Sequence, residues 1–181
     1  MKISKNPVPV VFLHGLKGGP NGTKGVFLRK RFPYCLTPRL PENMHQRMAI
    51  VREIVKEPSW IVGSSLGGLN ALFFAMQSPE LVRGMVLIAP AVGFHDPSFC
   101  TPQQSEKIRS TYIPRGIPCN ILAGKRDTLI PLSDIVNLVE RSQDKRQIEL
   151  LELDDDHSLN RSLDIMLEKL EAMMAQYLLG R

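Results

Sequence analysis

Apolar residues along the chain follow two alternating arrangements, short unbroken runs and longer segments with an apolar residue every three or four positions. The run VPVVFLHG (residues 8–15) ends in glycine and reads as a strand buried on both faces. SWIVGS (59–64), MVLIAPAV (85–92), CNILAG (119–124) and QIELLEL (147–153) read the same way, and YCLT (34–37) is a weaker strand between prolines. Between these runs the period changes. Pro41 opens a helix with Met44, Met48, Val51 and Val55 on one face, stopped by Pro58. Leu66, Leu69, Leu72, Phe73 and Met76 stripe the next helix, which ends at Ser78-Pro79. A helix over 133–140 carries Ile135, Leu138 and Val139, and a final one carries Leu163, Met166, Leu167, Leu170, Met174 and Tyr177. Six strands with intervening helices imply an α/β chain: a three-layer α/β/α sandwich around a mainly parallel sheet of about six strands.

One segment breaks the alternation. Residues 93–118 run for 26 positions and carry Pro97, Pro102, Pro114 and Pro118. Within them Thr101-Pro102-Gln103-Gln104 has the form of a capping box with proline at the first helical position, so a short helix is expected near 102–112. The excursion is either a small lid or binding loop, or a plain crossover helix with long flanks; its length fits both. No repeat, low-complexity tract or linker divides the chain, so residues 1–181 read as a single domain.

Composition narrows the class. Hydrophobic residues make up 43% and charged residues 23% of the 181, ordinary for a soluble globular protein. No apolar stretch approaches the ~20 residues of a membrane helix. The start, MKISKNPVPVVFLHG, has too short an apolar run for a signal peptide, and a cytoplasmic location is the expectation. Cys35, Cys100 and Cys119 are odd in number and far apart, and read as reduced residues outside any disulfide framework or zinc site. Residues 1–90 hold 12 Lys and Arg against 4 Asp and Glu, whereas residues 91–181 hold 11 against 14. The densest basic piece, KGVFLRKRFPYCLTPR (24–39), either attracts an anionic partner or is a solvated helix face, and charge runs favour the second.

The chemistry enters with WIVGSSLGGLNALFFAM (60–76). Gly63-Ser64-Ser65-Leu66-Gly67 matches G-x-S-x-G between a strand and a helix, where a sharp turn holds a serine above the sheet edge. The N-terminal N–H groups of that helix suit an oxyanion. A serine hydroxyl needs a base, and the base an orienting acid. Of the four histidines, His157 in LELDDDHSLNRS directly follows the last strand, and Asp127 in ILAGKRDTLIP follows the preceding one. Ser65, Asp127 and His157 thus all sit at the carboxyl ends of strands, the edge where open α/β sheets place their sites. Asp96 and the triplet Asp154, Asp155 and Asp156 compete for the role of acid. His14 reads as structural, tying down its loop, and Lys17 either meets an anionic group or is solvated.

With FLHGLKGG, GSSLGG, GKRDTLIP and DDDHS in this order, the chain resembles the α/β-hydrolase superfamily, and most of all its small carboxylesterase-like serine hydrolases. The resemblance implies Ser65 as nucleophile, His157 as general acid and base, and Asp127 as orienting acid. It implies an oxyanion hole from the backbone N–H groups of Leu16 and Leu66. Against the full pattern of the superfamily its first two strands are not evident, so strand 8–15 is expected nearer the sheet edge and the sheet wholly parallel. Little room for a large cap is also expected. The function expected is hydrolysis of a small carboxylic ester or thioester substrate, anionic or neutral, through an acyl-enzyme. The alternatives are an acyltransferase or peptidase on the same residues, or a non-catalytic binding protein of the same fold. No phosphate loop, dinucleotide fingerprint or metal-ligand cluster is visible, so neither cofactor, metal nor nucleic acid is expected.

Overall fold

The computed structural model describes residues 8–93 and 101–180. Its sheet contains β1 (Val10–Leu13), β2 (Ser59–Ser64), β3 (Val82–Ile88), β4 (Cys119–Gly124) and β5 (Ile148–Leu153). They lie side by side in that order, and each neighbouring pair is parallel. The helices are α1 (Thr23–Arg31), α2 (Met44–Ile54), α3 (Leu66–Gln77), α4 (Pro102–Arg109), α5 (Leu132–Arg141) and α6 (Leu163–Leu179).

Strand side chains alternate between two cores, which is why the strands read as unbroken apolar runs. Val10 and Phe12, Trp60 and Val62, and Val86 and Ile88 face one way, where Leu28 of α1 and Met166, Leu170 and Met173 of α6 cover them. Val11 and Leu13, Ile61, Met85 and Leu87 face the other way, against Met48 and Val51 of α2, Leu69 and Leu72 of α3, and Ile135 and Leu138 of α5. Each such buried side chain contributes roughly 1.5–3 kcal/mol relative to exposure. The three layers expected from the sequence are present.

The differences are local. The expected strand at 34–37 is reduced to one parallel bridge between Leu36 and Val11. Leu36 N–H donates to the Val10 carbonyl at 2.9 Å and Phe12 N–H to the Leu36 carbonyl at 2.8 Å. Pro33 and Pro38 on either side have no N–H to extend the ladder, so among the described residues the sheet has five strands instead of six. Helix α2 begins at Met44 and not at Pro41, because Asn43 caps it by accepting the Gln46 N–H at 3.1 Å. Strand β3 starts at Val82 and stops at Ile88, where Ala89 takes φ 42° and Pro90 follows. Helix α3 is buried on nearly every side, including Asn70, Ala71, Phe74 and Ala75, so its apolar residues form more than a stripe. Helix α1 has no periodic signal because only Gly25 and Leu28 of its nine residues are buried. The capping box at Thr101 and Gln104 forms as expected, at the start of α4.

The topology positions the site. From β1 the chain runs to the Leu36 bridge on one side and then returns through α2 to β2 on the other. Connections therefore diverge at the carboxyl ends of β1 and β2, and the crevice they open is where such sheets bind ligands.

Candidate active site

Ser65 stands at this crevice, between the end of β2 and the start of α3, with φ 53° and ψ −117°. This is a strained backbone for a residue with a side chain, costing about 1–3 kcal/mol, and the surroundings must enforce it. Ser65 N–H donates to the Ile88 carbonyl at 2.8 Å, and its own carbonyl accepts from Gly68, Leu69 and Ala91 N–H at 2.9, 3.2 and 3.1 Å. The flanking glycines are needed for space. A Cβ on Gly67 would run into the Leu13 carbonyl, and one on Gly63 would come within 2.7 Å of the Gly67 oxygen.

His157 Nε2 lies 3.0 Å from Ser65 Oγ, and His157 Nδ1 lies 2.8 Å from Asp127 Oδ2. The three residues that sequence reasoning selected are thus in one hydrogen-bonded line, although 92 and 30 positions separate the partners. The Asp127 side chain is only 2% exposed, and its other oxygen, Oδ1, accepts from Leu129 and Ile130 N–H at 2.8 and 3.0 Å. With Oδ1 so engaged, Oδ2 is left to face the imidazole.

The neighbouring carboxylates are committed elsewhere. Asp155 is buried, accepting from Asp156 N–H and from Arg161 N–H and Ser162 Oγ–H, at 2.8, 3.0 and 2.9 Å. Asp156 is exposed and accepts from the Ser158 N–H at 2.8 Å and from its hydroxyl at 2.5 Å. Hydrogen bonds from Ser158 hold its carboxyl below the ordinary range. Asp154 pairs with Arg126 on the surface. The triplet builds the turn that carries His157. Asp96, together with His95 and Cys100, lies outside the described residues.

The loop after β1 closes the other side. A Cβ on Gly15 would lie 3.7 Å from Ser65 Oγ, so the backbone leading to Leu16 passes directly beside the serine. The Leu66 N–H opens α3, where helix N–H groups have no partner within the helix. His14 is buried and locks this loop: Nδ1–H donates to the Gly15 carbonyl at 2.7 Å, and Nε2 accepts the Leu40 N–H at 3.0 Å. Burial, foremost, holds the His14 pKa below its ordinary value.

Sequence reasoning missed Arg47. It is fully buried on α2 and donates from Nη2 to the His14 carbonyl, from Nη1 to the Pro41 carbonyl at 3.1 Å and from Nε to Asn70 Oδ1 at 2.6 Å. Burial lowers its pKa to about 10, which still leaves it cationic at neutral pH. It links the loop after β1 to the helix behind Ser65. The available signal was a charged residue three positions after Met44, on the face that the 3.6 period assigns to the core.

Two cysteines play no part in this arrangement. Cys35 and Cys119 are buried and unbridged, and burial raises both thiols, Cys35 to about 11, so neither is a thiolate at neutral pH. A cavity of about 520 Å³ beside α4 and α5 is lined by Val92, Arg109, Asp134, Asn137, Glu140 and Arg141, and none of Ser65, Asp127 and His157 borders it. Among the described residues no helix is long and apolar enough to cross a membrane.

Comparison with known proteins gives three kinds of likeness. The family model described as Serine aminopeptidase, S33 (Hydrolase_4) matches residues 42–175. Pheophytinase, chloroplastic, of Arabidopsis thaliana is 44% identical over 59 residues, which are 32% of this chain and 11% of that protein. The chain therefore matches a small part of that relative's length. Among solved structures, alpha/beta hydrolase domain-containing protein 10 from mouse superposes with a TM-score of 0.78 at 16% identity, covering 97% of this chain and 92% of that one. A monoacylglycerol lipase of Paleococcus ferrophilus superposes with a TM-score of 0.69, also at 16% identity, covering 92% and 94%. At these identities the structural likeness is one of fold.

Proposed function

The chain belongs to the hydrolase family described as Serine aminopeptidase, S33 (Hydrolase_4), among the α/β hydrolases, and from that premise we propose that it cleaves a carboxylic ester or thioester through an acyl-serine intermediate. The observation that carries this reading is the line from Ser65 Oγ to His157 Nε2 at 3.0 Å and from His157 Nδ1 to Asp127 Oδ2 at 2.8 Å. In this reading His157 Nε2 takes the hydroxyl proton as Ser65 Oγ attacks the substrate carbonyl carbon. Asp127 holds Nδ1–H and supports the imidazolium that forms. The Leu16 and Leu66 N–H groups receive the oxyanion. The tetrahedral adduct collapses with breaking of the bond to the leaving oxygen or sulfur, which His157 protonates. Water, deprotonated by His157, then releases the acid and regenerates Ser65.

The carboxylates beside the site favour an ester over a peptide's amino terminus. An aminopeptidase must hold an ammonium group near the scissile bond, but among the described residues the carboxylates next to His157 in sequence, Asp154, Asp155 and Asp156, are engaged with local donors. The monoacylglycerol lipase among the structural relatives is consistent with an ester substrate.

A fluorophosphonate tests the assignment. Peptide mapping is expected to place the adduct on Ser65, and Ser65→Ala is expected to keep its melting temperature near that of wild type while losing several orders of magnitude in p-nitrophenyl acetate turnover. An adduct on Ser64, or none on the folded protein, would overturn the reading.

A further inference from the structure

Lys24 lies in the first turn of α1, at the start of the basic segment, yet its ammonium is not a surface charge awaiting a partner. It donates to the Ser158 carbonyl and to Asn160 Oδ1, the latter at 3.1 Å, across more than 130 residues of sequence. Both acceptors belong to the turn that immediately follows His157. A compact ammonium with three donors suits two acceptors a few ångströms apart.

The turn needs such a hold. The Asp155 carboxylate joins its two ends by accepting from Arg161 N–H and Ser162 Oγ–H, and the Arg126 N–H fixes its upstream end by donating to the Asp155 carbonyl at 3.0 Å. On its downstream side Leu159 takes φ 47°, a conformation that a leucine keeps only under external constraint. Burial lowers the Lys24 pKa, and the negative charges of Asp155 and Asp156 oppose that shift. Helix α1 also follows the 14–22 loop that carries Leu16. Lys24 therefore connects the two loops that border Ser65 from opposite sides.

We propose that Lys24 is a positioning residue for His157, strapping the 158–160 turn to α1 so that Nε2 stays on Ser65 Oγ. This rests on the acyl-serine reading. Without the strap the imidazole samples positions off the line to Ser65, and misplacement on the ångström scale costs up to about 100-fold in rate.

The test compares wild type with Lys24→Met in turnover of p-nitrophenyl acetate and in amide hydrogen exchange. The expected result is a kcat lower by about 10-fold with KM within about twofold, because the loss is of alignment and not of substrate contact. Exchange is expected to rise in peptides spanning 157–161 while β2 and β3 stay protected. Should the methionine variant fail to fold, Lys24→Gln keeps an uncharged NH2 donor group and is expected to show the same changes, smaller in size. An unchanged kcat, a rise in KM that accounts for the loss, or unchanged exchange at 157–161 would each overturn the proposal. Fluorophosphonate labelling of wild type separates the two readings. Absence of labelling defeats the acyl-serine mechanism, and the exchange measurement alone still reports whether Lys24 holds the turn.

Discussion

Asp127 illustrates selection at the scale of one residue. Of the carboxylates near His157, it is the one with an oxygen at Nδ1, and the reason is the strand that delivers it. Its N–H bonds to the Gly124 carbonyl at 3.1 Å, closing a tight turn at the end of β4, and Oδ1 is then pinned by two further N–H groups. Asparagine at this position keeps the shape but places a neutral amide where the proposed mechanism needs a carboxylate to support the imidazolium. Asp127→Asn is therefore expected to fold normally and to lose roughly 10³ to 10⁴ in kcat, by loss of the tautomer and of charge support. Single Asn substitutions at Asp154 or Asp156 are expected to cost far less. Steady-state kinetics with one activated ester checks the ranking, and near-full activity in Asp127→Asn would move the acid elsewhere.

At the scale of elements, the site is a junction of β1, β2 and α3 held by polar groups under the loops. His14 must stay neutral at Nε2 to accept the Leu40 N–H, and burial, foremost, with Arg47 and Arg39 adding to it, holds its pKa below 6.5; its bond to the Gly15 carbonyl opposes this. The unfolded chain then takes up this proton at higher pH than the folded protein does. The stability that neutral His14 contributes is complete above the unfolded-state pKa and declines as pH falls through it toward the lower folded value. Thermal melts between about pH 7.5 and about pH 5 are expected to show wild type losing stability more steeply below roughly pH 6.5 than His14→Gln, which has no proton to gain. Parallel slopes would remove His14 from the acid sensitivity. Arg47 sits beneath the same loop as a buried cation whose partners are carbonyl oxygens instead of a carboxylate, an arrangement that spans α2, β1 and α3 at once.

Over the whole molecule the charge is lopsided, and the structure redistributes its meaning. Three members of the basic segment serve the fold: Lys24 holds the histidine turn, Arg29 bonds Pro20, Thr37 and Asn21, and Arg31 pairs with Glu171 at 2.5 Å. Lys30 remains exposed on a solvated face, whereas Lys17, also exposed, follows the loop beside Ser65. Any preference for anionic esters is thus expected to depend on Lys17. Lys17→Glu should lower kcat/KM for a monoanionic ester several-fold more than for a neutral one, with the difference shrinking as salt rises above 0.1 M, where screening acts within about 10 Å. Lys30→Glu should affect both substrates equally, and a selective loss there would show that the basic face steers after all.

The sequence by itself determined the layered α/β class, because runs and periods of apolar residues report which faces are buried. It also determined that Ser65, Asp127 and His157 share one sheet edge, because parallel strands joined by helices all end at that edge. Asp127, at the end of β4, already stood apart from its competitors in the sequence. Only the tertiary structure decided that its Oδ2 meets the imidazole while hydrogen bonds of their own turn occupy Asp155 and Asp156 and Arg126 pairs with Asp154. It likewise decided that 34–37 is a bridge and that α1 is a helix, for one is limited by flanking prolines and the other buries too few residues to leave a period. The roles of Arg47 and Lys24 belong to the same class. A long cationic side chain has partners set by what the fold brings within reach, tens to more than a hundred residues away along the chain.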